Sequence, residues 1–234
     1  MHFILILLST VTVTYASIPV NPFARFERYT ALNDRTCNVD EELFSYDLTS
    51  GVQCALACLN SDKCYSMFHG TNAEKCYGCN TVYNDSFQNI LPSEQGNLYY
   101  QIYPPCEQGW TGYMRSCYKL SSPAGFPNGA DECVLEGGHA VYIESSVENE
   151  FLKTFVKSDS STWAWYIGVT ECAVQDEWRY YGTDELVQFT DFKIPDLSST
   201  CCALFFEGYD YQWARFECEH QDFGFPTICE INVL

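Results

Sequence analysis

Fourteen cysteines in 234 residues constrain this chain more than any other feature. Such density belongs to oxidising compartments, where disulfides persist and staple small cores. The cysteines fall into two even sets, six from Cys37 to Cys79 and eight from Cys106 to Cys229, so each set can close on itself with every thiol oxidised. Between them the strand-like run Asn97–Tyr103 meets Pro104-Pro105, where a fixed φ and a missing N–H stop a strand and stiffen a short connection. Two modules are therefore expected, residues 30–104 and residues 105–234. A content of 47% hydrophobic and 16% aromatic residues is enough to bury one or two cores.

The run Phe3–Leu8 followed by Thr14-Tyr15-Ala16 has the apolar stretch and small-residue cleavage site of a secretory signal. Residues 1–16 are read as a signal peptide cut after Ala16, and residues 17–29 as a linker. No other stretch approaches the roughly 18 apolar residues of a membrane span, and the chain stops five residues after Cys229. The expectation is a secreted, extracellular protein without an anchor. With 31 acidic against 12 basic residues the formal charge is −19, which disfavours nucleic acid, heparin-like polyanions and anionic membranes as partners. Cations and basic protein surfaces remain open, although scattered carboxylates also serve plain solubility. Asn84-Asp85-Ser86 is an N-glycosylation sequon in a polar stretch expected to be exposed.

In the first module Cys54 and Cys58 lie four residues apart, on one face of a helix. Asn60-Ser61-Asp62 breaks that helix, and Cys64–Phe68 continues as a strand. Cys76-Tyr77-Gly78-Cys79 has the spacing of redox and zinc sites, but without a matching second pair in a secreted chain it reads as structural disulfides. This helix-cysteine pattern, with Cys37 upstream, resembles the PAN/apple family over residues 30–104. The resemblance implies protein or glycan binding, adhesion or assembly. It suggests Cys58 with Cys64 and Cys54 with a later cysteine; the sequence itself leaves the pairing of Cys37, Cys54, Cys76 and Cys79 open.

The second module opens with Cys106, Trp110 and Cys117-Tyr118. A helix around Asp131–Leu135 carries Cys133 and stops at Gly137-Gly138, glycines suited to a left-handed helix end. His139–Glu144 reads as a strand. Ser145 with Glu148 forms a capping box, and Val147, Phe151 and Phe155 recur every four residues on what should be a buried helix face. Then come Trp165-Tyr166-Ile167-Gly168-Val169, Trp213, Cys218 and Cys229. This order and spacing resemble the long form of the C-type lectin-like domain, so the whole chain reads as α+β: a disulfide-rich PAN/apple-like module followed by a C-type lectin-like fold. The resemblance implies a hairpin staple at Cys106 and Cys117, a Cys133–Cys229 bridge, and Cys218 paired with Cys201 or Cys202. The remaining one of that adjacent pair is then left for Cys172.

Family members that bind sugar through calcium supply oxygen ligands from a long loop and from the strand after it. Calcium needs six to eight such oxygens, which the sugar hydroxyls complete. The corresponding residues here are Ile194-Pro195-Asp196 and Trp213-Ala214-Arg215. Ile194 and Ala214 have no ligating side chain, Arg215 places a cation where the ion would sit, and Leu197–Thr200 adds no carboxylate. No resident metal or cofactor is expected, apart from calcium at a secondary or diffuse site. Trp213 is assigned to core packing. The loop and next strands still carry aromatic and charged groups typical of protein hot spots and of sugar stacking: Asp191, Lys193, Asp196, Glu207, Tyr209, Asp210, Tyr211 and Arg215 are the candidate ligand-binding residues.

Catalysis is not expected. His69, His139 and His220 lack metal-ligand spacing, His139 sits in a Gly-Gly-His-Ala packing run, and no nucleophile elbow or phosphate loop is visible. The reading is a secreted recognition protein for a glycan or extracellular protein, of the kind used in innate defence, adhesion or matrix assembly. The alternative is an acidic matrix or mineral-associated structural protein. Ligand identity and oligomeric state are not encoded in any motif.

Overall fold

The computed structural model describes residues 25–171, 177–193, 200–219 and 224–233. The expected signal segment, most of the expected linker, Cys172, the Ile194–Asp196 triplet and His220 lie outside them. The described chain folds as two compact units, residues 25–107 with 112–116 and 233, and the described parts of 108–111 and 117–232.

The first unit contains β1 (Arg25–Arg28), β2 (Glu42–Asp47), α1 (Gly51–Leu59), β3 (Ser66–Gly70), β4 (Lys75–Cys79) and β5 (Asn97–Tyr103). The strands form one antiparallel sheet in the order β1-β5-β3-β4-β2. The Ser50 hydroxyl caps α1 by accepting from the Val52 and Gln53 amides at 3.2 and 3.4 Å. The four-residue spacing then turns Cys54 and Cys58 inward, where they bond Cys76 and Cys64, while Cys37 bonds Cys79. Both thiols of the C-x-x-C run are thus structural cystines. Leu32, Phe68, Tyr83, Leu91 and Tyr99 fill the core around Cys37–Cys79. The buried Arg115 guanidinium donates to the carbonyl of Cys58 in the last turn of α1 (3.0 Å) and to those of Ser61 (2.7 Å) and Cys64 (3.2 Å) in the segment after it, which fixes the path of the chain into β3.

Chain order continues with β6 (Thr111–Tyr113), β7 (Ser116–Leu120), α2 (Phe126–Leu135), β8 (His139–Ala140), α3 (Ser146–Lys157), β9 (Ala164–Thr170), β10 (Arg179–Tyr180), β11 (Cys202–Phe206), β12 (Gln212–Phe216) and β13 (Ile228–Asn232). β7, β13 and β8 lie side by side, and a second sheet has the order β10-β9-β11-β12. Cys133–Cys229 ties α2 to β13, and Cys202–Cys218 ties β11 to the segment after β12. Among the described residues no cysteine is free. Gly168 is required by close approach: a Cβ there would run into the Ala140 carbonyl.

Three local expectations change. α2 starts at Phe126, well before Asp131, because Pro127 is tolerated in a first turn and Gly125 provides the cap position. The expected His139–Glu144 strand shrinks to His139–Ala140. Tyr142 N donates to the Glu230 carboxylate at 3.2 Å instead of to a strand carbonyl, which ends the ladder. In α3 the fully buried positions are Glu148, Asn149, Leu152 and Val156. Val147, Phe151 and Phe155 are only half-buried at the margin of that stripe. Ser145 caps α3 through the Glu148 amide (3.2 Å), but the Glu148 side chain reaches the Glu144 amide (3.0 Å) and the Tyr118 hydroxyl (2.8 Å) instead of closing the box on Ser145.

Candidate functional site

The β9-β11-β12 sheet carries a face on which Trp165, Phe205 and Trp213 stand in register. Trp213 is fully buried, and its indole N–H donates to Asn149 Oδ1 at 2.9 Å. Asn149 Nδ2 donates to Asp191 Oδ2 at 2.9 Å, Lys153 Nζ lies 2.7 Å from the same carboxylate, and Gln212 Nε2 donates to its other oxygen at 3.2 Å. Burial opposes the charge on Asp191, but the bonds from Lys153, Asn149 and Gln212 outweigh it and hold the carboxyl below its ordinary range.

The loop segment 191–193 is also stitched to β12 by backbone. Trp213 N donates to Asp191 O and Lys193 N donates to Trp213 O, both at 2.9 Å. Phe189 and Phe192 meet the Trp213 ring edge-on, and Phe192 packs on Trp178 with centroids 4.5 Å apart. Arg215 lies 5.1 Å from the Trp178 centroid, a cation–π distance, while its Nη1 donates to Glu171 Oε1 at 2.6 Å. The Glu171 side chain is 7% exposed and its other oxygen has no hydrogen-bond partner, so the Arg215 charge is its compensation.

The candidate residues separate into three groups. Asp191 and Arg215 are engaged in internal ion pairs that fasten the loop. Lys193 is exposed. Glu207, Tyr209 and Asp210 are exposed on the turn between β11 and β12, and Tyr211 is half-buried there, stacked on Trp165 at 5.8 Å beneath Lys157 Nζ at 4.7 Å. Tyr211 and Arg215 are four residues apart, roughly 13 Å along an extended strand, so the structure does not bring them to one spot. Asp196 lies outside the described residues.

Four supporting residues escaped the sequence reading: Asn149, Lys153, Glu171 and Trp178. Asn149 and Lys153 carry the one available signal, polar side chains four apart on a helix and so on one face. Beside the sheet, a cleft of about 490 Å³ is lined by Thr170, Glu177, Arg179, Tyr180, Gly182, Thr183 and Asp184. Arg179 is paired within it with the Glu177 carboxylate at 2.6 Å and also donates to the Asp184 carbonyl. His139 stacks on Tyr142 with centroids 4.1 Å apart, and burial lowers its proton affinity. Among the described residues no group of three or more His, Cys, Asp or Glu is placed to hold a metal ion.

The second unit is a cystine-tied α+β fold in which the segment 191–193 is bonded along the edge of a four-stranded sheet. Residues 122–231 match the Lectin C-type domain family, and this stretch is a C-type lectin-like domain. The chain is 29% identical to Snaclec 3 of Sistrurus catenatus edwardsii, over 53% of this chain and 83% of that protein. Identity to a snaclec echicetin chain of Echis carinatus sochureki is 25%, over 55% and 96%. A solved carbohydrate-recognition domain, that of the mouse scavenger receptor C-type lectin, aligns at 24% identity and a TM-score of 0.48, over 55% of this chain and 99% of that one. No helix among the described residues is long and apolar enough to cross a membrane.

Proposed function

We propose that this is a secreted recognition protein, not an enzyme, whose lectin-like unit binds a glycan or an extracellular protein without calcium in its long loop. The observation that carries the reading is the Glu171–Arg215–Trp178 arrangement. A guanidinium stands where the family's strand would offer a calcium ligand, and it is already engaged by a buried carboxylate. Ala214 beside it has no ligating side chain. A calcium ion in this position would have to approach a fixed cation, and Coulomb repulsion at such range opposes it. The residues present therefore do not fit the group, and the loop is fastened by the chain's own side chains.

In this reading the first unit, a helix on a five-stranded antiparallel sheet with three cystines, is a PAN/apple-like module that adds adhesion or assembly. Exposed Asn84, whose Oδ1 accepts from the Ser86 amide and hydroxyl at 3.0 and 2.6 Å, carries an N-glycan. The test is a glycan and extracellular-protein array probed with the full chain, in calcium and in EDTA. Binding should survive the chelator. Binding abolished by EDTA and restored by about a millimolar of calcium, the range of extracellular calcium modules, would contradict the proposal. The charge of −19 favours a second reading, an acidic matrix protein. Weak, salt-sensitive calcium uptake at many sites with no saturable array ligand would support it instead.

A further inference from the structure

The turn between β11 and β12, with Trp163 just before β9, carries two large rings that the fold covers only in part; Trp163 also packs edge-on against buried Phe225, with centroids 4.5 Å apart. Trp163 and Tyr209 are each 37% exposed although both rings are large and apolar. They are contiguous through Phe206, whose ring lies 5.5 Å from Trp163 and 4.8 Å from Tyr209, and Glu207 N donates to Trp163 O at 3.0 Å. Glu207 and Asp210 flank the rings, both exposed and without an ion-pair partner among the described residues. The turn is held in a defined shape: Asp210 N donates to Glu207 O, Tyr211 N donates to Phe206 O, and Asp210 and Tyr211 both take positive φ.

We infer that this tip is a docking surface for a basic peptide segment of an extracellular partner, read by Trp163 and Tyr209 through cation–π contact and by Glu207 and Asp210 through charge. The inference rests on the proposed recognition role and names a partner chemistry and a surface for it. Charge complementarity selects the occupant. Aromatic rings beside two unpaired carboxylates attract ammonium and guanidinium groups and repel acidic ones. The same turn displays the chemistry internally, since Lys157 lies over Tyr211. The surrounding negative field would speed the approach of a basic chain. A bare apolar patch would serve any hydrophobic partner; the carboxylates make this one selective.

The experiment measures binding of the full chain to a synthetic Lys/Arg-rich peptide and to its Glu/Asp-rich counterpart at two salt concentrations. The variants are Tyr209→Ala, the pair Glu207→Gln/Asp210→Asn, and the charge-matched pair Asp40→Asn/Asp131→Asn at exposed positions elsewhere. Asn is tolerated at positive φ, so the tip pair keeps its backbone. The basic peptide should bind and the acidic one should not. Tyr209→Ala should weaken binding about tenfold, the tip pair should weaken it and flatten its salt dependence, and the charge-matched pair should change it less than about twofold. Equal losses from both charge pairs would show a diffuse field and overturn the inference, as would absence of binding to the basic peptide. An array ligand that still binds Tyr209→Ala at full strength would sink this surface while leaving the broader recognition role standing.

Discussion

Glu148 is buried with Glu230 close by, and burial first, then that like charge, pushes its carboxyl up to about 8 from an ordinary 4.5. A raised carboxyl pKa makes the folded state bind more protons than the unfolded chain. Its contribution is therefore fully present below the ordinary carboxyl range and is lost as pH rises through about 8. The lectin-like unit should be less stable at about pH 8.5 than at about pH 5.5, by on the order of 2 kcal/mol, and Glu148→Gln should flatten that slope in urea titrations at the two pH values. An unchanged slope would place the pH sensitivity elsewhere. Arg215 poses the complementary case, a cation whose removal strands a buried carboxylate. Arg215→Ala should destabilise the unit by about 3–5 kcal/mol, and Glu171→Gln added to it should recover a large part. The sequence exposed the Arg215 charge but not its role, because Glu171 is 44 residues away and nothing in the spacing joins them.

At the level of elements, the pattern of the chain was legible where local chemistry decides. Ser145 caps the helix that follows it, and the spacing of Cys54 and Cys58 gives one buried helical face. It failed where a distant side chain competes. Tyr142 N is taken by Glu230, so a six-residue β pattern keeps only two strand residues. The stripe of α3 is rotated by one position because Asn149 must reach Trp213 and Asp191, and that need has no apolar signature. Arg115 was equally silent, a basic residue in a turn whose partners are carbonyls of the last turn of α1 and of the segment after it. Arg115→Ala should cost the first unit about 2–3 kcal/mol, read as a lower urea midpoint with an unchanged slope. Arg115→Lys should recover little, since one ammonium cannot span three carbonyls in a planar fork.

For the molecule as a whole, the two even cysteine sets were the most readable feature, and Cys37–Cys79, Cys54–Cys76, Cys58–Cys64, Cys133–Cys229 and Cys202–Cys218 each join cysteines of one set. Cys133–Cys229 spans 96 residues, and in the chain-entropy account a loop of that size stabilises by about 4–5 kcal/mol. A frame so fastened lets a long irregular loop differ in chemistry without loss of the fold. The candidate site was half legible: the aromatic and charged residues stood out, but which of them hold the loop and which face outward depends on contacts between distant segments. The central claim is that the chain's own groups, and not calcium, fasten the loop to β12. Amide hydrogen exchange at Lys193 and Trp213, whose N–H groups bond Trp213 O and Asp191 O, tests it directly. Protection at both amides should be the same in millimolar calcium and in EDTA, and should fall in Asp191→Ala under either condition; protection that vanishes in EDTA and returns with calcium would contradict the account.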